Sequence, residues 1–140
     1  MPRYASCLTG LFLILAAVNA TAKEPAGEED AVTAARAWLA LVDEGEDARS
    51  WDEAAEYFRN AAPLDQWVQS LEAVRRPLGR AVSREVIRAE RTTSLPGAPD
   101  GEYVVIRFRA SFENKASAVE TVTPVLGRDG TWRVTGYYIR

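Results

Sequence analysis

The spacing of apolar residues changes at Gly79, and this change constrains the fold more than any other feature of the chain. Before Gly79, apolar side chains recur at three- and four-residue intervals, which is typical of helices. After Gly79 they alternate with polar residues, which is typical of strands with one buried face. Helices grouped ahead of strands predict an α+β fold in which the helices cover one face of an antiparallel sheet.

Three N-terminal helices are predicted. The first begins in the acidic run at residues 28–30 and ends near Gly45, a C-terminal cap. The second begins at Ser50, because Ser50-Trp51-Asp52-Glu53 has the spacing of a capping box, and it ends before Pro63. The third runs from Leu64 to Arg76.

Four strands are predicted after Gly79, at residues 82–93, 103–112, 119–126 and 131–139. The first is rich in β-branched residues but alternates poorly, which indicates a bulge. The second alternates cleanly, so one face is predicted to be core: Val104, Ile106, Phe108, Ala110 and Phe112. Short turns, including Asp129-Gly130, connect the strands, and the predicted sheet is therefore a curved four-stranded antiparallel meander.

The first 22 residues are predicted to be a secretory signal peptide. Arg3 gives a positive start, an apolar run follows at residues 8–18, and Ala20-Thr21-Ala22 is a small-x-small cleavage site. The domain organisation is therefore a signal peptide at 1–22 and one α+β domain at 23–140. We expect the processed protein to be exported, either to the periplasm or out of the cell, and to contain no transmembrane segment.

Composition excludes several classes of function. The chain has no histidine, and its single cysteine, Cys7, lies in the leader, so the domain is expected to carry no Ser-His-Asp triad, cysteine nucleophile, disulfide or usual zinc site. The net charge is −3 and becomes more negative without Arg3, which argues against a nucleic-acid partner. No metal or organic cofactor is implied.

Glu120 is the candidate acid–base group on the strands. Beside Tyr103, Tyr137 or Tyr138 it would perform proton transfer if burial raised its affinity for a proton. The structural alternative is an ion pair across the sheet with a neighbouring arginine: Arg107, Arg109 or Arg133.

A set of short motifs links the chain to a known family. They are Ser50-Trp51, Trp67, Arg76-Pro77-Leu78-Gly79, the loop and strand start at 95–103, Phe112-Glu113-Asn114-Lys115, Glu120-Thr121-Val122 and the final strand at 132–139. With them the chain resembles domain-of-unknown-function family 4019, whose members are small exported bacterial proteins without an established activity. The layout is also similar to the cystatin and nuclear-transport-factor-2-like folds, in which a curved sheet wraps around helices.

The leading functional hypothesis is an exported, non-enzymatic module that binds a protein, a peptide or a small apolar ligand. Its candidate binding residues are Arg107, Arg109, Tyr103, Glu120 and Tyr137. The Arg107/Arg109 face would suit an acidic partner or a second copy of the chain, that is, a homodimer. The alternative is a small cofactor-independent enzyme that uses carboxylate and tyrosine groups.

Cleavage after Ala22 predicts that the exported protein begins at Lys23. Expression of the full 140-residue chain, followed by N-terminal sequencing of the periplasmic or secreted fraction, tests this directly. Recovery of a cytoplasmic protein that still begins at Met1 would contradict it.

Overall fold

The computed structural model describes residues 27–140, and the predicted signal peptide at 1–22 lies outside them. Four α-helices come first: α1 (Glu28–Asp43), α2 (Asp47–Asp52), α3 (Glu56–Ala61) and α4 (Leu64–Ser70). A π-helical turn (Leu71–Arg75) and a 3-10 turn (Arg76–Leu78) extend α4. Four strands follow: β1 (Ala81–Thr92), β2 (Tyr103–Phe112), β3 (Lys115–Leu126) and β4 (Trp132–Ile139). The predicted α+β class is confirmed.

The second predicted helix is wrong in one respect, because the segment forms two short helices, α2 and α3, instead of one. Ser50 also does not cap a helix. It lies within α2, fully buried, where its hydroxyl donates to the Asp47 carbonyl and accepts from Trp67 Nε1 at 2.9 Å. Trp38 Nε1 donates to the Ser50 carbonyl at 2.7 Å. Tertiary hydrogen bonds to two tryptophans therefore replace the local cap that the sequence pattern predicts.

The sheet has the strand order β1-β2-β3-β4 with every neighbouring pair antiparallel, as the predicted meander requires. The pairing of β1 with β2 shifts register twice, between Ala81 and Ser83 and between Val86 and Arg88. These two irregularities explain why the apolar pattern of this strand alternates poorly in the sequence.

The core lies between the helices and one face of the sheet. The predicted apolar row on β2, from Val104 to Phe112, is buried, and so is Trp132. Trp38 and Trp67 pack into the same core, whereas Trp51 is half-buried. The opposite face of β2 carries Arg107 and Arg109, which are exposed, so the predicted assignment of faces is confirmed for this part of the strand.

The two edges of the sheet differ. On β4, the Val134 carbonyl accepts a hydrogen bond from the Ala55 N–H at 2.8 Å, so the segment between α2 and α3 lies against that edge. On β1, the apolar residues Val82, Val86 and Ile87 are exposed. Within residues 27–140, no helix is long and apolar enough to cross a membrane.

Replacing Phe108 by alanine is expected to lower the free energy of unfolding by about 3–5 kcal/mol, because the ring is fully buried and its removal leaves a cavity. Arg109→Ala is the matched control on the same strand. Its surface ion pair with Glu85 is exposed on both sides, so the change is expected to stay within about 0.5 kcal/mol. Denaturant titration measures both values, and similar small losses would contradict the assignment of faces.

Candidate functional site

A network of buried charges joins the helical layer to the sheet. Its centre is Arg84 on β1, which faces the helices and donates through Nε to Glu120 Oε1 at 2.6 Å. The same guanidinium donates to both oxygens of Asp43, at the C-terminal end of α1, at 2.8 and 3.1 Å. Glu120 is fully buried, so the ion pairs replace the water that its charge would otherwise require.

Arg75 extends the network on the helical side. It lies in the π-helical turn, and its side chain is only 7% exposed. It donates to Asp43 Oδ1 at 3.0 Å and to the Gly79 carbonyl, and its guanidinium lies 4.6 Å from the centre of the Phe112 ring. Two guanidinium groups and two carboxylates therefore balance each other inside the protein.

Tyr137 closes the network on β4. Its hydroxyl donates a hydrogen bond to Glu120 Oε2. Its ring packs edge-on against Trp38, with ring centres 5.3 Å apart, and against Trp67 at 6.3 Å. The tyrosine thus has an apolar body in the aromatic core and a polar end on the carboxylate.

The surroundings shift the ionisation of three of these groups. Burial alone would raise the pKa of Asp43, but hydrogen bonds and positive charge from Arg84 and Arg75 hold it below its ordinary value. Burial opposes the charge of Arg84, yet the two carboxylates raise the pKa of its guanidinium. Burial, together with the neighbouring Glu120 carboxylate, raises the pKa of Tyr137 well above its ordinary value of 10.0.

Two clefts flank the network, and Arg75 lines both. The first is an apolar groove of about 240 Å³ between α4 with its π turn and β4, lined by Trp67, Ser70, Leu71, Val74, Arg75, Tyr137, Tyr138 and Ile139. The second, of about 290 Å³, lies on the other side of Arg75. Its wall is strongly charged and contains ion pairs of its own, Arg76 with Asp47 at 2.5 Å and Arg80 with Glu113 at 2.6 Å.

Of the five predicted site residues, only Glu120 and Tyr137 belong to this network. Tyr103 is the first residue of β2, away from the network, and its hydroxyl donates a hydrogen bond to the Pro99 carbonyl. Arg107 and Arg109 are on β2, on the face of the sheet opposite the helices.

The ion pair predicted for Glu120 exists, but with a different arginine. Its partner is Arg84, and the three suggested arginines do not contact it: Arg109 pairs with Glu85 at 2.8 Å and Arg133 with Asp129 at 2.7 Å. Arg107 lies on the far side of the sheet, opposite Arg88. The suggestion of Arg107 and Arg109 was wrong because Glu120 lies opposite Phe108, on the face of the sheet that the helices cover, whereas both arginines point away from it. The bulges in β1 hid the arginine that does face Glu120.

Sequence reasoning missed Asp43, Arg75 and Arg84. One signal was available for Asp43: a carboxylate in the last turn of a helix lies at the negative end of the helix dipole and requires a positive partner. For the two arginines the sequence holds no local signal. Their carboxylate partners are 32 to 41 positions away in the chain.

Both carboxylates of the network are already engaged. Each oxygen of Glu120 and of Asp43 accepts at least one hydrogen bond from the network. Within the part of the chain that the structure describes, no group of three or more acidic side chains is arranged to hold a metal ion. The surface beside the network is therefore an apolar groove whose two polar residues, Arg75 and Tyr137, are already hydrogen-bonded within the protein.

A family model described as "Protein of unknown function (DUF4019)" matches residues 34–137, in agreement with the predicted family. No curated protein and no solved structure matches the chain. The predicted likeness to cystatin and nuclear-transport-factor-2-like folds therefore stays a prediction.

The raised pKa of Tyr137 predicts a loss of stability at alkaline pH. The folded state favours the protonated phenol, so this stabilisation is complete well below pH 10.0, the ordinary pKa at which half of the unfolded tyrosine is ionised, and it decreases as the pH rises towards the folded pKa. Above pH 10.0, the free energy of unfolding of the wild type is expected to fall by about 1.4 kcal/mol per pH unit more than that of Tyr137→Phe.

Urea titrations at several pH values measure this difference. Tyr138→Phe, which removes an exposed hydroxyl from the same strand, is the matched control and is expected to follow the wild type. Identical slopes for the wild type and Tyr137→Phe would contradict the prediction.

Proposed function

This chain belongs to the DUF4019 family of proteins of unknown function, and we propose that it is a non-enzymatic binding module for a small, mainly apolar ligand. The observation that carries the proposal is the groove between α4 and β4. Its volume of about 240 Å³ suits a molecule of a few rings or a short acyl chain. Exposed apolar groups at its rim, Val74 and Tyr138, give such a ligand surface to cover.

The floor of the groove favours binding over catalysis. Tyr137 and Arg75 reach it from the charge network, but the tyrosine proton is directed at Glu120 and the arginine is paired with Asp43. A general base has to accept a proton from its substrate, whereas these carboxylates already accept hydrogen bonds from arginine and tyrosine. The alternative is a small acid–base enzyme, in which Glu120 or Asp43 would first have to give up hydrogen bonds from arginine or tyrosine.

The network also keeps the groove in one shape. Arg75 is held by Asp43, by the Gly79 carbonyl and by the Phe112 ring. Tyr137 is held by Glu120 and by two tryptophans. Because residues that are fixed before binding lose little freedom on binding, a rigid groove of this kind increases affinity for a ligand that fits it.

We place this activity outside the cytoplasm. The support is the leader at residues 1–22, with Arg3, the apolar run and the small-x-small site. In the periplasm or outside the cell, a small domain without cysteine would bind its ligand independently of the redox conditions.

Binding of N-phenyl-1-naphthylamine, an uncharged apolar dye that brightens in an apolar site, tests the groove. Val74→Trp is expected to weaken binding about tenfold or more, a loss of about 1.4 kcal/mol, because the larger ring fills part of the groove. Leu64→Trp places the same ring on α4, the helix that the π turn extends, but outside the groove, and it is expected to bind like the wild type. Equal dye affinity in the wild type and Val74→Trp would contradict the proposed site.

A further inference from the structure

We propose that two copies of this chain pair edge to edge through β1, forming one continuous antiparallel sheet across a two-fold axis. The axis would lie between Val86 and Ile87. This inference concerns the far edge of the sheet and does not depend on the groove or its ligand.

The first support is the character of β1. It is a 12-residue edge strand, and an edge strand presents a row of backbone N–H and C=O groups that a further strand can use. Its exposed residues include Val82, Val86 and Ile87, with 67%, 37% and 41% of their surface open to solvent. Long edge strands with exposed apolar side chains favour strand addition, whereas bulges and charged residues, which β1 also has, oppose it unless the added strand matches them.

The second support is that the bulge at Ile87 brings Glu85 and Arg88 to the same face of the sheet. Glu85 lies opposite Arg109, and Arg88 lies opposite Arg107, so both point away from the helices although they are three positions apart. In a regular strand, residues three apart point to opposite faces. The extra residue at the bulge places Glu85 and Arg88 symmetrically on the same face.

A two-fold axis at the bulge converts this symmetry into charge complementarity. Antiparallel pairing about the midpoint of Val86 and Ile87 places Glu85 of each copy opposite Arg88 of the other copy. It also places Ser83 opposite Glu90 on the same face. Because the interface is isologous, each of these pairs occurs two times.

Neighbouring registers do not place Glu85 opposite Arg88. A slip of one residue brings Arg84, which faces the helices, opposite Arg88, which faces away from them. A slip of two residues towards the C-terminus keeps the faces but pairs Glu85 with Glu90 and Arg84 with Arg91, which are like charges.

The third support is a charge imbalance within one copy. Arg88 and Arg107 are directly opposite each other on adjacent strands, an arrangement that is unfavourable for like charges. Arg88 pairs with Glu90, whereas Arg107 takes part in no ion pair within residues 27–140. Glu85 of a second copy would bring a further negative charge beside this pair.

Disulfide formation between mixed variants tests the register. Ser83→Cys and Glu90→Cys are made separately in the full chain and purified after export, because the leader carries Cys7. The proposed register places the Cα atoms of residues 83 and 90 of different copies about 5 Å apart, within disulfide range. It places residue 83 of one copy about 23 Å from residue 83 of the other, since seven residues at about 3.3 Å separate them.

A one-to-one mixture of the two variants, refolded together and oxidised, is therefore expected to give a covalent dimer, and each variant alone is expected to give none. Ser111→Cys mixed with Glu90→Cys is the control, because Ser111 lies beside Ser83 but one strand further from the edge. Cross-linking of the single variants, or of the control mixture to the same extent, would overturn the proposed register.

Charge reversal tests the interface in a second way. Light scattering and sedimentation are expected to show twice the monomer mass for the wild type and the monomer mass for E85R and for R88E. The double variant E85R/R88E restores opposite charges and is expected to recover the dimer. Arg109→Gln removes the ion pair of Glu85 within one copy without touching the edge, and is expected to stay dimeric.

A wild type that is monomeric up to its solubility limit overturns the proposal, as does a dimer that persists in both E85R and R88E. Binding of a different protein to β1 in place of a second copy would give a monomer in these measurements and would therefore also count against it.

Discussion

The guanidinium of Arg84, buried between the carboxylates of Asp43 and Glu120, holds the two layers of this protein in register. Removing an ion from water costs several kcal/mol even after a protein relaxes around it, so each charge is tolerable only while its partners stay in place. The partners come from α1, β1 and β3, with Arg75 from the π turn. A shift of any one element would leave a charge buried and unpaired.

The pairing of these buried charges also fixes two residues that line the apolar groove, Arg75 and Tyr137. The π-helical turn at Leu71–Arg75 departs from regular helical geometry at the point where Arg75 enters the network. Such turns are often found at functional sites, because they place a side chain where a regular helix would not. Here the arginine lies between two clefts and belongs to the wall of both. The shape of the apolar groove is thus a consequence of how the buried charges are satisfied.

The fold was predictable wherever one local pattern decided the outcome. β2 begins and ends at the predicted residues, because apolar and polar residues alternate regularly from Ile106 to Phe112 and the stretch before them is rich in strand-forming residues. The capping-box pattern at Ser50 gave a wrong prediction, because a serine hydroxyl can hydrogen-bond either to the start of its own helix or to a distant tryptophan. In the folded chain it accepts a hydrogen bond from Trp67. Within the site, Glu120 and Tyr137 were recognisable as a carboxylate and a tyrosine on predicted strands, but the sequence did not assign them to the helix-facing side of the sheet. Arg84 was not, since two register shifts in β1 break the relation between sequence position and face.

The unequal edges of the sheet limit how far strand addition can proceed. A molecule with two open edges can add copies at both, and the product is a growing fibre. In the described part of this chain, the backbone segment at Ala55 occupies the outer side of β4 through its hydrogen bond to Val134, while β1 stays open. When each copy has a single open edge, the pairing of two copies uses both open edges and assembly stops at the dimer. Ala54 and Ala55, both buried at the α2–α3 junction, have side chains short enough to let this backbone approach the strand, so a further strand would have to displace the segment before it could pair at Val134.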